Sequence, residues 1–145
     1  MALHNTIFEK SVFVDTGAFL ALVKETDTFH RDAVTCANVI QERNIPTFVS
    51  NVTIIETHKR FLFEMGYSKA LDFLNEIYSG AINILRVAEE NEIEAKTIIE
   101  KFSDQKFSFA DAVNFSIMKQ HGIGKAFTFD AHYSTFGFEK IPPCF

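Results

Sequence analysis

The chain has no tryptophan, two cysteines, three prolines and six glycines in 145 residues. Cys36 and Cys144 are too few and too far apart for a disulfide framework or a zinc site, and a reducing, cytoplasmic setting is the simpler expectation. So few Pro and Gly residues leave no flexible linker, and with no internal repeat or low-complexity stretch the whole of 1–145 is expected to be one domain. No apolar run approaches the ~20 residues of a membrane span, and the opening "MALHNTIFEK" lacks the charged-then-apolar order of a secretion signal. Basic residues are also scarce: 14 Lys and Arg against 19 Asp and Glu give a formal net charge of −5. This excludes a protein that holds nucleic acid by a broad basic face. It does not exclude a nuclease whose acids recruit cations that then meet phosphates.

What is abundant is phenylalanine, at 17 residues, within a 47% hydrophobic and 23% charged composition. That is the make-up of a globular protein, and the ordinary use of each Phe is core packing. Short apolar runs alternate with longer amphipathic ones. "SVFVD", "PTFVS", "INILRV" and "KAFTFD" read as strands, and "EKIPP" as a short edge strand. Between them, "TGAFLALVKE", "HRDAVTCANVIQERN", "NVTIIETHKRFLFEMG", "SKALDFLNEIYSG", "EENEIEAKTIIEKF" and "SFADAVNFSIMKQHG" read as helices. Ala33, Ala37 and Ile40 share a face of the second helix, while Ile55, Lys59 and Leu62 give the third its spacing, with Gly66 as its stop. Strands alternating with helices imply a parallel sheet covered on both faces, with ligands gathering at the carboxyl ends of the strands.

Four acids fall at such ends. Asp15 closes the first strand and Asp130 the fourth. Glu56 lies in the first turns of one helix and Asp111 in the first turn of another. Each sits among apolar residues, in "FVDTG", "TIIET", "SFADAV" and "FTFDAH". If strands one and four are neighbours, all four carboxylates converge on one pocket, where mutual repulsion raises their pKa values and a divalent cation is the economical way to keep them charged. All-oxygen ligands favour Mg²⁺ or Mn²⁺. Each acid also has an ordinary use. Asp111 can close a capping box with Ser108, Asp15 can accept backbone N–H bonds, Glu56 can pair with Arg60 at i+4, and Asp130 can open a turn.

Other acidic α/β classes fit less well. "DTG" lacks the D-x-D of haloacid dehalogenase phosphatases, and "INILRV" ends without the acceptor acid of a receiver domain. Neither G-x-G-x-x-G nor a P-loop is present.

"VFVDTGAFLAL", "NVTIIETHKRF" and "SFADAVNFSIMKQHGIGKAFTFDAHYSTFGF" together resemble the PIN-domain family, and within it the toxin ribonucleases of the VapC type. Gly17 stands where that family often carries Ser, and Tyr133 where Phe is commoner. The resemblance implies a three-layer α/β/α sandwich with a central parallel sheet of four to five strands. It also implies a metal-dependent endoribonuclease that holds one or two Mg²⁺ or Mn²⁺ ions on Asp15, Glu56, Asp111 and Asp130, and whose products end in a 5′-phosphate and a 3′-hydroxyl. Asp15 and Asp111 are expected as direct ligands, Glu56 and Asp130 through water. Thr16 and Thr128 would hold acids or waters by hydrogen bonds, and Arg60 and His132 are candidates for RNA contact. Asp104, in "SDQKFSFAD", is a fifth acid set against a solvated loop. An antitoxin protein covering the acidic pocket, a homodimer, and Phe61, Leu62 and Met65 as candidate contact surface, with core packing the first use of each, complete the expectations. The alternatives are a housekeeping RNA-processing nuclease of the same fold and a non-catalytic binding module.

Overall fold

The structure is a computed structural model, and it describes residues 10–144; the opening segment expected to lack a signal pattern lies outside them apart from Lys10. Five strands alternate with seven helices: β1 (Val12–Val14), α1 (Thr16–Val23), α2 (His30–Glu42), β2 (Thr47–Ser50), α3 (Asn51–Met65), α4 (Tyr67–Glu76), β3 (Asn83–Leu85), α5 (Glu89–Lys101), α6 (Phe109–Gln120), β4 (Lys125–Phe127), α7 (His132–Phe136) and β5 (Glu139–Ile141). After α4 the chain runs through one wide turn, Ile77–Ala81, before β3. The sheet order is β3-β2-β1-β4-β5, and every pairing is parallel. The expected fold class and the edge strand in "EKIPP" are both met. From β1 the chain winds outward through β2 and β3, then returns to place β4 on the other side of β1. The switch point, where ligand crevices form in such sheets, is therefore between β1 and β4.

The short strands read as apolar because both faces are covered. In β1, Phe13 points into a cluster built with α5, α6 and Tyr133, while Val12 and Val14 point the opposite way into a cluster with α1 and α2. A third cluster joins Val49 to Ile54, Phe61, Ala70 and Phe73 of α3 and α4. Among the described residues no helix is long and apolar enough to cross a membrane.

Two expectations about packing are corrected. The buried face of α3 is Thr53, Ile54, Thr57 and Phe61, one residue out of phase with the Ile55, Lys59 and Leu62 spacing. Ile55 is 69% exposed, while Phe61 packs against Phe73 in the core, the use expected for it ahead of a contact surface. The cysteines are also paired: Cys36 of α2 and Cys144 after β5 form a disulfide, with Cα atoms 5.6 Å apart. Parallel pairing of β5 with β4 brings the chain end back over the α2 face of the sheet, and that proximity is invisible in a spacing of 108 residues.

Candidate active site

Register delivers the first acid. Val14 of β1 pairs with Phe127 of β4, so the next residues, Asp15 and Thr128, leave the sheet side by side. The Asp15 backbone N–H donates to the Phe127 carbonyl at 3.0 Å, and Thr128 Oγ1 donates to Asp15 Oδ2 at 3.0 Å. Tyr133, wholly buried at the start of α7, donates its hydroxyl to Asp15 Oδ1 at 3.1 Å. Thr128 Oγ1 also accepts the Asp130 N–H at 3.0 Å, and Asp130 Oδ1 in turn accepts the His132 N–H at 2.9 Å. One buried threonine thus sets both acids of the switch point.

Asp111 arrives from α6. Ser108 and Asp111 form the expected capping box, Ser108 Oγ accepting from the Asp111 N–H at 3.0 Å and Asp111 Oδ2 from the Ser108 N–H at 3.1 Å. The capping geometry aims the carboxylate at the sheet edge. The same Oδ2 lies 3.1 Å from His132 Nδ1, which is also 3.5 Å from Asp130 Oδ1. Phe107 meets the same ring edge-to-face at 5.2 Å and fixes its plane. Glu56 comes from the second turn of α3, whose start is fixed by Ser50 Oγ accepting the Thr53 N–H at 3.1 Å.

Asp15, Glu56, Asp111 and Asp130 line one cavity of about 250 Å³, together with Thr16, Arg60 and Phe129. Asp111, Asp130 and His132 each bring a ligating atom within 4.8 Å of the others. Burial is the main force raising the Asp15 carboxyl from 3.8 to about 6, against the bonds from Thr128, the Thr16 N–H and Tyr133, with the Asp111 charge adding to the rise. Glu56 is exposed at the rim. Its carboxyl is raised by partial desolvation and by Asp111 and Asp130, with Arg60 opposing. A carboxylate held above its usual range by burial and by like charges is the arrangement a divalent cation relieves, so the donor set fits a hard cation with oxygen ligands.

Other expected residues lie elsewhere or act differently. Thr16 turns its hydroxyl away from the acids, to Thr57 Oγ1 at 2.9 Å, pinning α1 to the helix that carries Glu56. Arg60 lines the cavity but bonds forward to Glu64 at 2.7 Å rather than back to Glu56. Asp104 is exposed on the loop before α6 and outside the cavity, with only a bond from Gln105 at 3.3 Å. The sequence reading gave no role to Asn114. This buried amide accepts from Ser50 Oγ at 2.6 Å and donates to Thr53 Oγ1 at 2.9 Å, with the Tyr133 hydroxyl at 3.4 Å. A polar chain thus runs from the N-terminus of α3 through Asn114 and Tyr133 to Asp15.

The PIN-domain family model matches residues 12–139. The chain belongs to the PIN-domain family. It is 26% identical over 132 residues to the 23S rRNA-specific endonuclease VapC20 of Mycobacterium tuberculosis, a span covering 91% of this chain and 98% of that protein. The crystal structure of VapC20, described as a Sarcin-Ricin loop cleaving toxin, superposes with a TM-score of 0.81 over 90% of this chain and 98% of that one. DNA-bound VapBC of Salmonella typhimurium shares the fold at 12% identity, with a TM-score of 0.68 over 90% and 96% of the two chains. The expected kinship with VapC-type proteins is met.

Proposed function

We propose that this PIN domain is a metal-dependent endoribonuclease and the toxin of a VapBC-type toxin–antitoxin pair, acting in the cytoplasm. The observation that carries the reading is the convergence of Asp15, Asp111 and Asp130, from three distant segments, on one cavity at the β1–β4 switch point. Likeness to VapC20, which is named for cleavage of 23S rRNA, supports RNA as the substrate.

Asp15 and Asp111 are the direct ligands in this reading, with Glu56 and Asp130 acting through water. One or two Mg²⁺ or Mn²⁺ ions held by these acids would supply activation of water and charge neutralisation at the leaving oxygen. Thr128 and Tyr133 keep the Asp15 carboxylate in one orientation, and His132 does the same for Asp111; such supports are generally worth 10–100-fold or so in metal affinity or activity. Arg60 at the rim meets an RNA phosphate. Cleavage leaves a 5′-phosphate and a 3′-hydroxyl. An antitoxin covers the acidic cavity, and the toxin pairs with a second copy of itself; the structural kinship with VapBC proteins supports the first partner.

The test is cleavage of structured RNAs, a Sarcin–Ricin loop hairpin among them, with Mg²⁺ or Mn²⁺, comparing wild type with Asp15→Asn and Asp111→Asn. Cleavage abolished by EDTA and by either substitution is the expected result. Cleavage that survives both substitutions overturns the site. Intact RNA throughout, from a protein whose melting temperature ignores Mn²⁺, overturns the nuclease reading.

A further inference from the structure

Phe129 is set between the two site residues Thr128 and Asp130, and its ring belongs to two places at once. It lines the acidic cavity, and it also lines a neighbouring groove of about 360 Å³ with Phe29, Asp32, Lys140 and Pro142. Phe29 lies flat against it, with ring centroids 4.4 Å apart and planes 8° from parallel. Phe29 remains 44% exposed in a protein whose phenylalanines mostly pack inside.

The loop that presents Phe29 is held in place. The Phe29 N–H donates to Asp27 Oδ1 at 2.8 Å, and His30 Nδ1 bonds to the Ala21 carbonyl at 2.7 Å. The opposite wall, at Pro142, is tied back to α2 by the Cys36–Cys144 disulfide, and α2 also carries Asp32. An aromatic pair open to solvent, between fixed walls and sharing Phe129 with an acidic cavity, matches the way single-stranded nucleic acid is held: successive bases on aromatic faces, backbone on cations.

We propose that the Phe29–Phe129 pair is a stacking platform for a base of single-stranded RNA next to the scissile phosphate, with Lys140 on the neighbouring phosphate. This rests on the nuclease reading, because it is the acidic cavity that places the scissile phosphate beside Phe129. The charge balance favours it. A chain of net charge −5 cannot gather RNA on a broad basic face, and stacking supplies affinity without charge. Asp32 in the lining can accept from an exocyclic amine or a ribose hydroxyl.

The test uses the full chain in an Asp111→Asn background and a fluorescein-labelled single-stranded RNA 12-mer. The RNA carries 2-aminopurine at one position, moved along the strand, or an abasic residue there. Binding is read by anisotropy and stacking by quenching of 2-aminopurine. Phe29→Leu keeps the apolar bulk, Phe29→Trp restores an aromatic face, and thermal melts verify folding of both. Expected is quenching with wild-type Phe29 and with Phe29→Trp, its loss in Phe29→Leu, and binding of that variant weakened roughly fivefold or more. Abasic RNA should bind the parent as weakly as intact RNA binds Phe29→Leu, and Phe29→Leu should not distinguish the two RNAs. Lys140→Gln should lower the salt slope of binding by about one. Equal affinity and equal quenching across Phe29→Leu and the abasic RNA overturns the platform, and the nuclease reading stands if the wild type still cleaves RNA. Quenching by a chain that never cleaves RNA removes the nuclease reading while leaving the base-binding site. Neither binding nor cleavage removes both.

Discussion

Asp15→Asn should make the metal-free protein more stable at neutral pH while abolishing its response to metal. The Asp15 carboxyl stands at about 6 in the fold against 3.8 in an unfolded chain, chiefly through burial. The folded state therefore binds the proton more tightly, so the Asp15 contribution to stability is present below pH 4 and lost as pH rises through about 6. The interval corresponds to about 3 kcal/mol. Asparagine has no charge to desolvate. Its pH-independent losses, the weakened bonds from Thr128, Tyr133 and the Thr16 N–H, shift the comparison without giving it a slope. The difference in stability between Asp15→Asn and wild type, measured in EDTA, should then rise by up to about 3 kcal/mol between pH 4 and pH 7.5. In a chain of this size that is a relative change in Tm of about 6–12 °C. Thermal unfolding of both proteins at half-unit pH steps reads it, since carboxylates not coupled to Asp15 cancel in the difference and Asp111, whose charge acts on it, adds only a minor contribution. At pH 7.5, Mn²⁺ at a hundred times its Kd should add about 2.7 kcal/mol to wild type and nothing to the variant. A difference that stays flat from pH 4 to 7.5 would mean that the fold does not hold Asp15 against its charge, and the case for a cation there would lose its physical basis.

Asp111→Asn should keep the Ser108 cap, because the amide oxygen still accepts, yet lower RNA cleavage at least about a hundredfold by weakening charge stabilisation worth several kcal/mol; single-turnover cleavage rates and a thermal melt separate the two effects. Tyr133→Phe removes the donor to Asp15 Oδ1 and should weaken Mn²⁺ binding about 10–100-fold by calorimetry, with far-UV circular dichroism unchanged. Breaking the Cys36–Cys144 link, which closes a loop of 108 residues, should cost at most about 4–5 kcal/mol on the chain-entropy account, read as a fall in Tm with dithiothreitol that Cys144→Ser already shows without it. Phe61→Ala should destabilise by about 3–5 kcal/mol, as a core site does, and a tolerated substitution would return Phe61 to the surface.

The order of strands and helices, the short α7 excepted, was legible because a two-faced parallel sheet writes itself as short apolar runs, and the acids stood out by interrupting them. Asp111 was legible twice over, as a cap and as a candidate site acid, and the structure uses one oxygen, Oδ2, both for the cap and toward His132. The phase of α3 was misread for a chemical reason. Thr53 and Thr57 are buried, with their hydroxyls bonded to those of Ser50 and Thr16, yet they count as polar in a periodicity, so the apparent face moved to Ile55 and Leu62. The disulfide and the Ser50–Asn114–Tyr133 chain were illegible because each joins positions far apart in sequence, and only the placement of β4 beside β1 brings them together.

The same placement explains why the supports of Asp15 are hydroxyls rather than cations. A lysine or arginine beside Asp15 would lower its pKa and quiet the site, but it would also occupy the position a divalent ion needs. Thr128 and Tyr133 orient the carboxylate through neutral donors that leave its charge uncompensated, and Arg60, which lines the cavity, is bonded to Glu64. Burial, with a smaller push from Asp111, raises the Asp15 carboxyl to about 6, so that at neutral pH it is mostly ionised and carries a charge that a cation would compensate. The fold thus accepts lower stability in its metal-free state at a carboxylate oriented by Thr128, Tyr133 and the Thr16 N–H, as expected of a residue kept for binding rather than for folding.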